Sequence, residues 1–389
     1  MTEPVLQLRK PDTAHRPGWL ELLFDLAFVV ALGSTAHTLV DMEMPEGLFR
    51  YAVIFLLMTW AWTTYAFFVG IFAGSEEWHG LALAQMALVL LLATLRDPFG
   101  EDFDEFVIVY TLLRLLNVGM YLRAWLLVPE VRWLTGIQSV GIALTLLPLW
   151  LGWNADDQAS RQQLLLIAAL IPIAVAPLAF LAHRSFAFNA AHTLERVGLF
   201  VTLSLGECFL AIARAGDAVG FVSLAALVHG ALAVFVVFAL WRIYFGMLEG
   251  AGFQGQHRRA VFWMVLHLPL VMCIIGLATG LERNLVFLAE QRAAASDRLL
   301  IAWGVAVLTV VALGMFWGER KFDLRALLWR VAATLTAGMA IAVPFLSASL
   351  LSPQAALYFL FSASLLVMAI NPSVKPWGYG KLPDRLGDE

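Results

Sequence analysis

Glu21 and Asp25 stand one helical turn apart in the run WLELLFDLAFVVA (residues 19–31), whose other side chains are apolar apart from the end of the indole ring. Residues four apart on a helix share a face. Two carboxylates placed together in hydrocarbon can take up a proton, bind a cation or answer a buried cation from another helix. Such a cation is present. In VIVYTLLRLLNVGMYLRAW (residues 107–125), Tyr110, Arg114, Asn117 and Tyr121 follow at spacings of four, three and four, which is one stripe of a 3.6-residue helix. Arginine cannot shed its charge by deprotonation, so Arg114 needs a carboxylate or several carbonyl oxygens. A third acid, Glu207, ends the run HTLERVGLFVTLSLGE (residues 192–207). By its depth in that segment, Glu207 is the expected partner of Arg114, with Asp25 as the second option. His192, Glu195 and Arg196 cluster at the start of the same run, where Glu195 and Arg196 are expected to make interfacial contacts.

The elements that position these groups are apolar. The chain of 389 residues is 61% hydrophobic and 14% charged, against about 25% charged in an ordinary soluble domain. An all-α integral membrane protein follows. The net charge of −4 argues against a nucleic-acid partner. Runs of about twenty apolar residues predict a polytopic transmembrane helix bundle of about twelve spans: 19–40, 48–72, 78–95, 104–127, 132–153, 162–183, 194–214, 220–246, 259–281, 298–318, 325–349 and 353–371. Pro148, Pro172, Pro177, Pro269 and Pro344 fall inside spans, where neighbouring helices can re-satisfy the freed carbonyls.

Residues 1–18 lack the apolar core of a signal peptide, so insertion is expected from the helices themselves. With that tail and the tail 372–389 placed in the cytoplasm, the inner loops hold about twice the Lys and Arg of the outer ones; the inner set includes Arg9, Lys10, Arg16, Arg184, Arg258, Arg320, Lys321 and Lys375. The predicted location is the bacterial cytoplasmic (inner) membrane.

The chain also repeats a pattern. WAWTTYAFF carries Trp62 and Tyr65, and ALWRIYFGM carries Trp241 and Tyr244 at the same spacing. The first span of each half carries an acid, Asp25 or Glu207. Two parallel six-helix repeats, 19–183 and 184–371, are the expected organisation.

Weaker signals have simpler accounts. His37, His229 and His267 are expected to be hydrogen-bonded core histidines rather than haem ligands. Trp60, Trp62 and Trp241 suit an aromatic lining for a cation or ring, or an interfacial belt. Arg242 and Glu249 suit snorkelling at a span end. Cys208 and Cys273 are expected to be buried free thiols. No P-loop, Gly-x-Gly-x-x-Gly, His-Glu-x-x-His or Gly-x-Ser-x-Gly stands in the chain. No enzyme activity, metal or cofactor is therefore expected.

Several segments together resemble one family. WLELLFDLAFVVAL, VIVYTLLRL, HTLERVGLFVTLSLGE, ALWRIYF and VLHLPLVMCIIGLATGLE are similar to stretches of the low temperature requirement A (LtrA) family of bacterial integral membrane proteins. The resemblance runs from residue 19 to about 282 and carries over to Glu21, Asp25, Arg114, His192, Glu195, Arg196, Glu207, Trp241, Tyr244 and His267. This chain departs from the family's pattern at Arg242, where an aromatic is usual, and at Gly246, where an Asp is usual. The resemblance implies fold and membrane location and assigns no substrate.

The leading expectation is a secondary transporter or permease with a buried charged site near the membrane midplane. Asp25 and Glu207 would be its proton- or cation-linked acids, Arg114 the counter-charge, and Tyr110, Asn117, Trp62 and Trp241 its lining. Its partners would be membrane lipids and a small-molecule or ion substrate. Two other classes remain open: a non-transporting membrane protein whose buried ion pairs lock helix register and support envelope function or cold adaptation, and a membrane redox or lipid-modifying enzyme.

Overall fold

A chain in hydrocarbon must satisfy every backbone N–H and C=O internally, and long apolar runs do so as α-helices. The computed structural model describes residues 6–8, 17–36, 45–73, 77–155, 157–182, 190–219, 223–248, 257–290, 297–317, 324–346 and 352–370. Among these residues there are thirteen α-helices: α1 (Trp19–Thr35), α2 (Glu46–Ile71), α3 (Glu77–Leu92), α4 (Phe103–Leu127), α5 (Arg132–Leu144), α6 (Leu146–Trp153), α7 (Gln158–Ala182), α8 (Ala190–Val219), α9 (Leu224–Leu248), α10 (His257–Ala289), α11 (Asp297–Trp317), α12 (Leu324–Leu346) and α13 (Pro353–Ala369). The basic tails used to orient the chain, together with Arg184, Arg320, Lys321, His37 and Glu249, lie outside the described residues.

Helical residues are found within each predicted span, though several helices are shorter than the span, as α1 ends at Thr35 and α3 at Leu92. Among the described residues, eight helical stretches are long and apolar enough to cross a membrane, and Trp78–Leu92, Leu299–Leu313 and Pro353–Ala369 form shorter apolar helices. One predicted rod is broken. Residues 132–153 divide at Thr145 into α5 and α6. Pro148 explains the break, because its ring crowds the carbonyl four residues back, that of Leu144, where α5 stops. The hydroxyl of Thr145 satisfies a freed carbonyl, donating to the oxygen of Ile142 at 2.6 Å. Two short strands, β1 (Gln7–Leu8) and β2 (Phe72–Ala73), pair antiparallel and tie the N-terminal segment to the end of α2.

The helices are apolar outward and polar inward. On α4, Tyr110, Arg114, Asn117 and Tyr121 are all buried, while Leu112, Leu115 and Leu122 are 45–49% exposed on the other side. In water that arrangement would be inside out; in a bilayer it leaves the leucines to the acyl chains and keeps the charge inside. Close approach between helices is carried by glycine: a Cβ at Gly280 would stand 2.9 Å from the Cα of Leu299, and one at Gly304 would stand 2.8 Å from the carbonyl oxygen of Ala337. α1 lies against α2, α3 and α8, joining the N-terminal and C-terminal parts of the bundle.

The turn before α4 is fastened by one acid. Asp102 Oδ2 accepts from the backbone N–H of Arg96 at 2.7 Å and of Asp97 at 2.9 Å. These bonds hold its carboxyl below the ordinary value of 3.8. A carboxyl lowered in the folded state stabilises above its unfolded pKa, and that contribution disappears as pH falls through the folded value. Protection of the Arg96 and Asp97 amides, measured by hydrogen exchange and corrected for intrinsic rate, is therefore expected to fall on acidification below the ordinary carboxylate range. Asp102→Asn should lack that transition; the same acid transition in both proteins would contradict the assignment.

Candidate functional site

Both acids of α1 turn to one side and meet α8. Arg196 is 2% exposed and Asp25 fully buried. Arg196 Nη2 donates to Asp25 Oδ1 at 2.8 Å, Nε donates to Asp25 Oδ2 at 3.3 Å, and Nη1 donates to Glu21 Oε2 at 3.0 Å. One guanidinium thus grips Asp25 at two points and Glu21 at a third, the fork geometry that arginine provides and lysine does not. His192, one turn before Arg196, brings Nε2 within 3.2 Å of Glu21 Oε2.

Helix α2 closes the cluster. Trp62 Nε1 donates to Asp25 Oδ1 at 2.7 Å. The indole stacks on Phe200 of α8 with ring centroids 4.0 Å apart, and Tyr65 stacks on Phe24 of α1 at 4.0 Å. The Arg196 guanidinium carbon lies 5.9 Å from the Trp62 ring and 5.7 Å from that of Tyr65, within cation–π reach. Asp25 is therefore held at once by side chains of two other helices, in a site closed off from solvent.

The remaining expected residues fall elsewhere. Glu207 does not meet Arg114. It packs against Gly33 of α1, where a Cβ would stand 2.8 Å from its Cδ. Its Oε1 accepts from Arg214 Nη2 at 2.9 Å, and Arg214 Nε reaches Glu282 Oε2 at 2.9 Å. Arg214, seven residues on, shares Glu207's helix face, so a local partner supplied what the expected long-range pairing would have. The Arg214 side chain is 43% exposed and that of Glu207 9%, so the pair is partly shielded, but Arg214 keeps Glu282 when Glu207 is neutralised. Glu207→Gln is accordingly expected to change thermal stability by no more than about 1 kcal/mol; a larger loss would show that the pair is better shielded than its exposure indicates.

Arg114, 1% exposed, is also placed differently from expectation. Its Nη1 donates to Thr64 Oγ1 at 3.2 Å, and its guanidinium carbon lies 5.9 Å from the Tyr110 ring. Tyr110 and Tyr121 direct their hydroxyls to the carbonyl oxygens of Leu57 (2.9 Å) and Thr64 (3.0 Å) on α2. Asn117 Nδ2 donates to Gln85 Oε1 of α3 at 2.8 Å.

Trp241 is 38% exposed and faces outward between Phe238 and Phe245, so it does not line an interior site. Trp62 and Trp241 share a spacing but not an environment. Tyr244 is buried and lies 2.9 Å from His267 Nε2 through its hydroxyl, while His267 Nδ1 lies 2.7 Å from the Trp263 carbonyl oxygen. A carbonyl only accepts, so Nδ1 carries the hydrogen in that contact and Nε2 is left to accept from Tyr244. Glu195 is exposed, but Arg196, expected at the interface, is at the centre of the charge cluster. One group was not singled out from the sequence: Arg50 is 7% exposed and pairs with Glu46 (2.6 Å) and Asp97 (3.1 Å). Its signal was the i,i+4 spacing from Glu46 at the start of α2.

Ionisable side chains enclosed by helices whose outer faces are leucine-rich define a polytopic α-helical integral membrane protein. The family model described as bacterial low temperature requirement A protein (LtrA) matches residues 16–370. The chain belongs to that family. No curated protein and no solved structure matches the chain.

Proposed function

We propose that the protein is a secondary transporter of the bacterial inner membrane, with both termini cytoplasmic and about twelve spans in two six-helix halves, 19–183 and 184–371. In this reading the halves move relative to one another, and the Asp25–Arg196 cluster is the site where a proton or cation is taken up. The observation that carries the reading is that one buried carboxylate is clamped simultaneously by α2 and α8. Protonating Asp25, or giving it a cation, removes its reason to hold Arg196. Occupancy of one atom pair is thereby linked to the fit of three helices, two from the first half and one from the second. Glu21 and His192 lie next along the same chain of contacts, at 3.0 and 3.2 Å, and extend it toward the start of α1. The two-to-one excess of Lys and Arg in the loops taken as inner supports the orientation.

The two-point Arg196–Asp25 geometry also favours a second reading, a register-locking ion pair without transport. Reconstitution separates them. Proteoliposomes carrying the wild-type chain are exposed to jumps of alkali cations, amino acids and organic acids under an imposed proton gradient, and charge movement is recorded. At least one solute class is expected to give a protein-dependent, gradient-dependent current. Silence across all of them would favour the structural role.

A further inference from the structure

We propose that Arg114 holds a single small anion, of the size and charge of a halide, in a cavity between α2, α4, α5 and α7. This does not rest on the transport reading. Arg114 is 1% exposed, and its Nε has no hydrogen-bond partner. Among the described residues no carboxylate lies within 4.0 Å of its guanidinium. Apart from the Tyr110 ring face, 5.9 Å from the guanidinium carbon and a weak partner for a full charge, the groups that touch it do not answer its charge. Thr64 Oγ1 accepts from it at 3.2 Å while giving its own hydrogen to the Trp60 carbonyl oxygen, and Tyr121 gives its hydrogen to Thr64's carbonyl oxygen. A guanidinium cannot neutralise itself by losing a proton, and a buried charge without a partner is among the costliest groups a fold can contain.

Beside it lies a cavity of about 20 Å³, lined by Arg114 with Thr63, Thr64, Tyr121, Gln138 and Gly141 among others. That volume exceeds the roughly 10–15 Å³ needed for one water-sized occupant and is too small for a multi-atom organic anion. Water would satisfy Nε but leave the charge; a monatomic anion would do both. Gln138, half-buried on α5, lines the cavity with an amide that can turn an N–H toward such an ion. The cavity shares Gly141 and Val175 with a mostly apolar groove of about 750 Å³ lined by Leu122, Trp125 and Trp133, whose one charged lining residue is a further cation, Arg132, so that side supplies no counter-charge to Arg114.

The test uses the full chain, solubilised and exchanged into sodium gluconate. Equilibrium binding of radioactive chloride is expected to saturate near one ion per chain, with bromide displacing it and gluconate not. The thermal midpoint should rise by several degrees when chloride replaces gluconate, as for any ligand bound by the folded state alone. Arg114→Gln should bind at least tenfold more weakly and melt alike in both salts. If Arg114→Gln does not fold, Gln138→Leu, which removes the amide donor from the cavity wall, should weaken chloride binding at least tenfold. Absence of saturable chloride binding by the wild type would mean the cavity holds water only and would overturn the proposal. So would unaltered binding in whichever variant folds.

Discussion

Arg196→Leu is expected to destabilise the protein by about 3–5 kcal/mol, the usual consequence of leaving buried charge uncompensated. The substitution removes three charge-assisted hydrogen bonds and strands Asp25, which is fully buried and among the described residues keeps only the Trp62 indole as a hydrogen-bond partner. Leucine also loses the planar group lying over Trp62 and Tyr65. The measure is the thermal or denaturant midpoint of the solubilised protein. The double variant Asp25→Asn/Arg196→Leu supplies the control: with the stranded carboxylate gone it should be more stable than Arg196→Leu alone, a coupling expected only of groups in contact. Equal loss in the single and double variants would show that Arg196 matters through its bulk and not its charge.

Asp25→Asn alone is expected to reduce gradient-dependent flux at least tenfold while costing less stability than Arg196→Leu. Asparagine keeps an oxygen that can accept from Trp62 and from Arg196, and Arg196 retains Glu21 at 3.0 Å. The side chain can no longer take up or release a proton, which is the step the transport reading requires of it. A lowered midpoint in proportion to the lost flux would point to unfolding; lost flux at a near-normal midpoint is the expected pattern. Glu207→Gln is the companion measurement, since its partner Arg214 is half-exposed and its neutralisation should leave flux largely intact.

The helices were legible because hydrocarbon imposes a simple length rule on apolar runs. The α4 stripe was legible because 3.6-residue spacing places Tyr110, Arg114, Asn117 and Tyr121 on one face whatever surrounds it. Partner choice was not, because it depends on how helices distant in sequence rotate against each other. Glu207 was matched to Arg114 on depth alone, but its own helix offered Arg214 two turns on. Arg196 was read as interfacial from a span beginning at residue 194; α8 begins at Ala190, which carries Arg196 nearly two turns into the helix and level with Asp25. Spacing made Trp241 look like Trp62, while the rotation of α9 turns its indole outward. The break at Thr145 had its cause in plain view at Pro148, but a bundle can accommodate such a proline, as α10 and α12 do at Pro269 and Pro344.

The most direct test of the Asp25–Arg196 cluster as the working site is flux through the double variant, Asp25→Asn/Arg196→Leu, in proteoliposomes. It removes both groups together, so Asp25 is not left as a stranded charge, and Glu21 keeps His192 at 3.2 Å. A folded double variant that has lost the gradient-dependent current of the wild type is the expected result. A folded double variant with wild-type current would contradict the account and leave the cluster a device for holding α1, α2 and α8 in register.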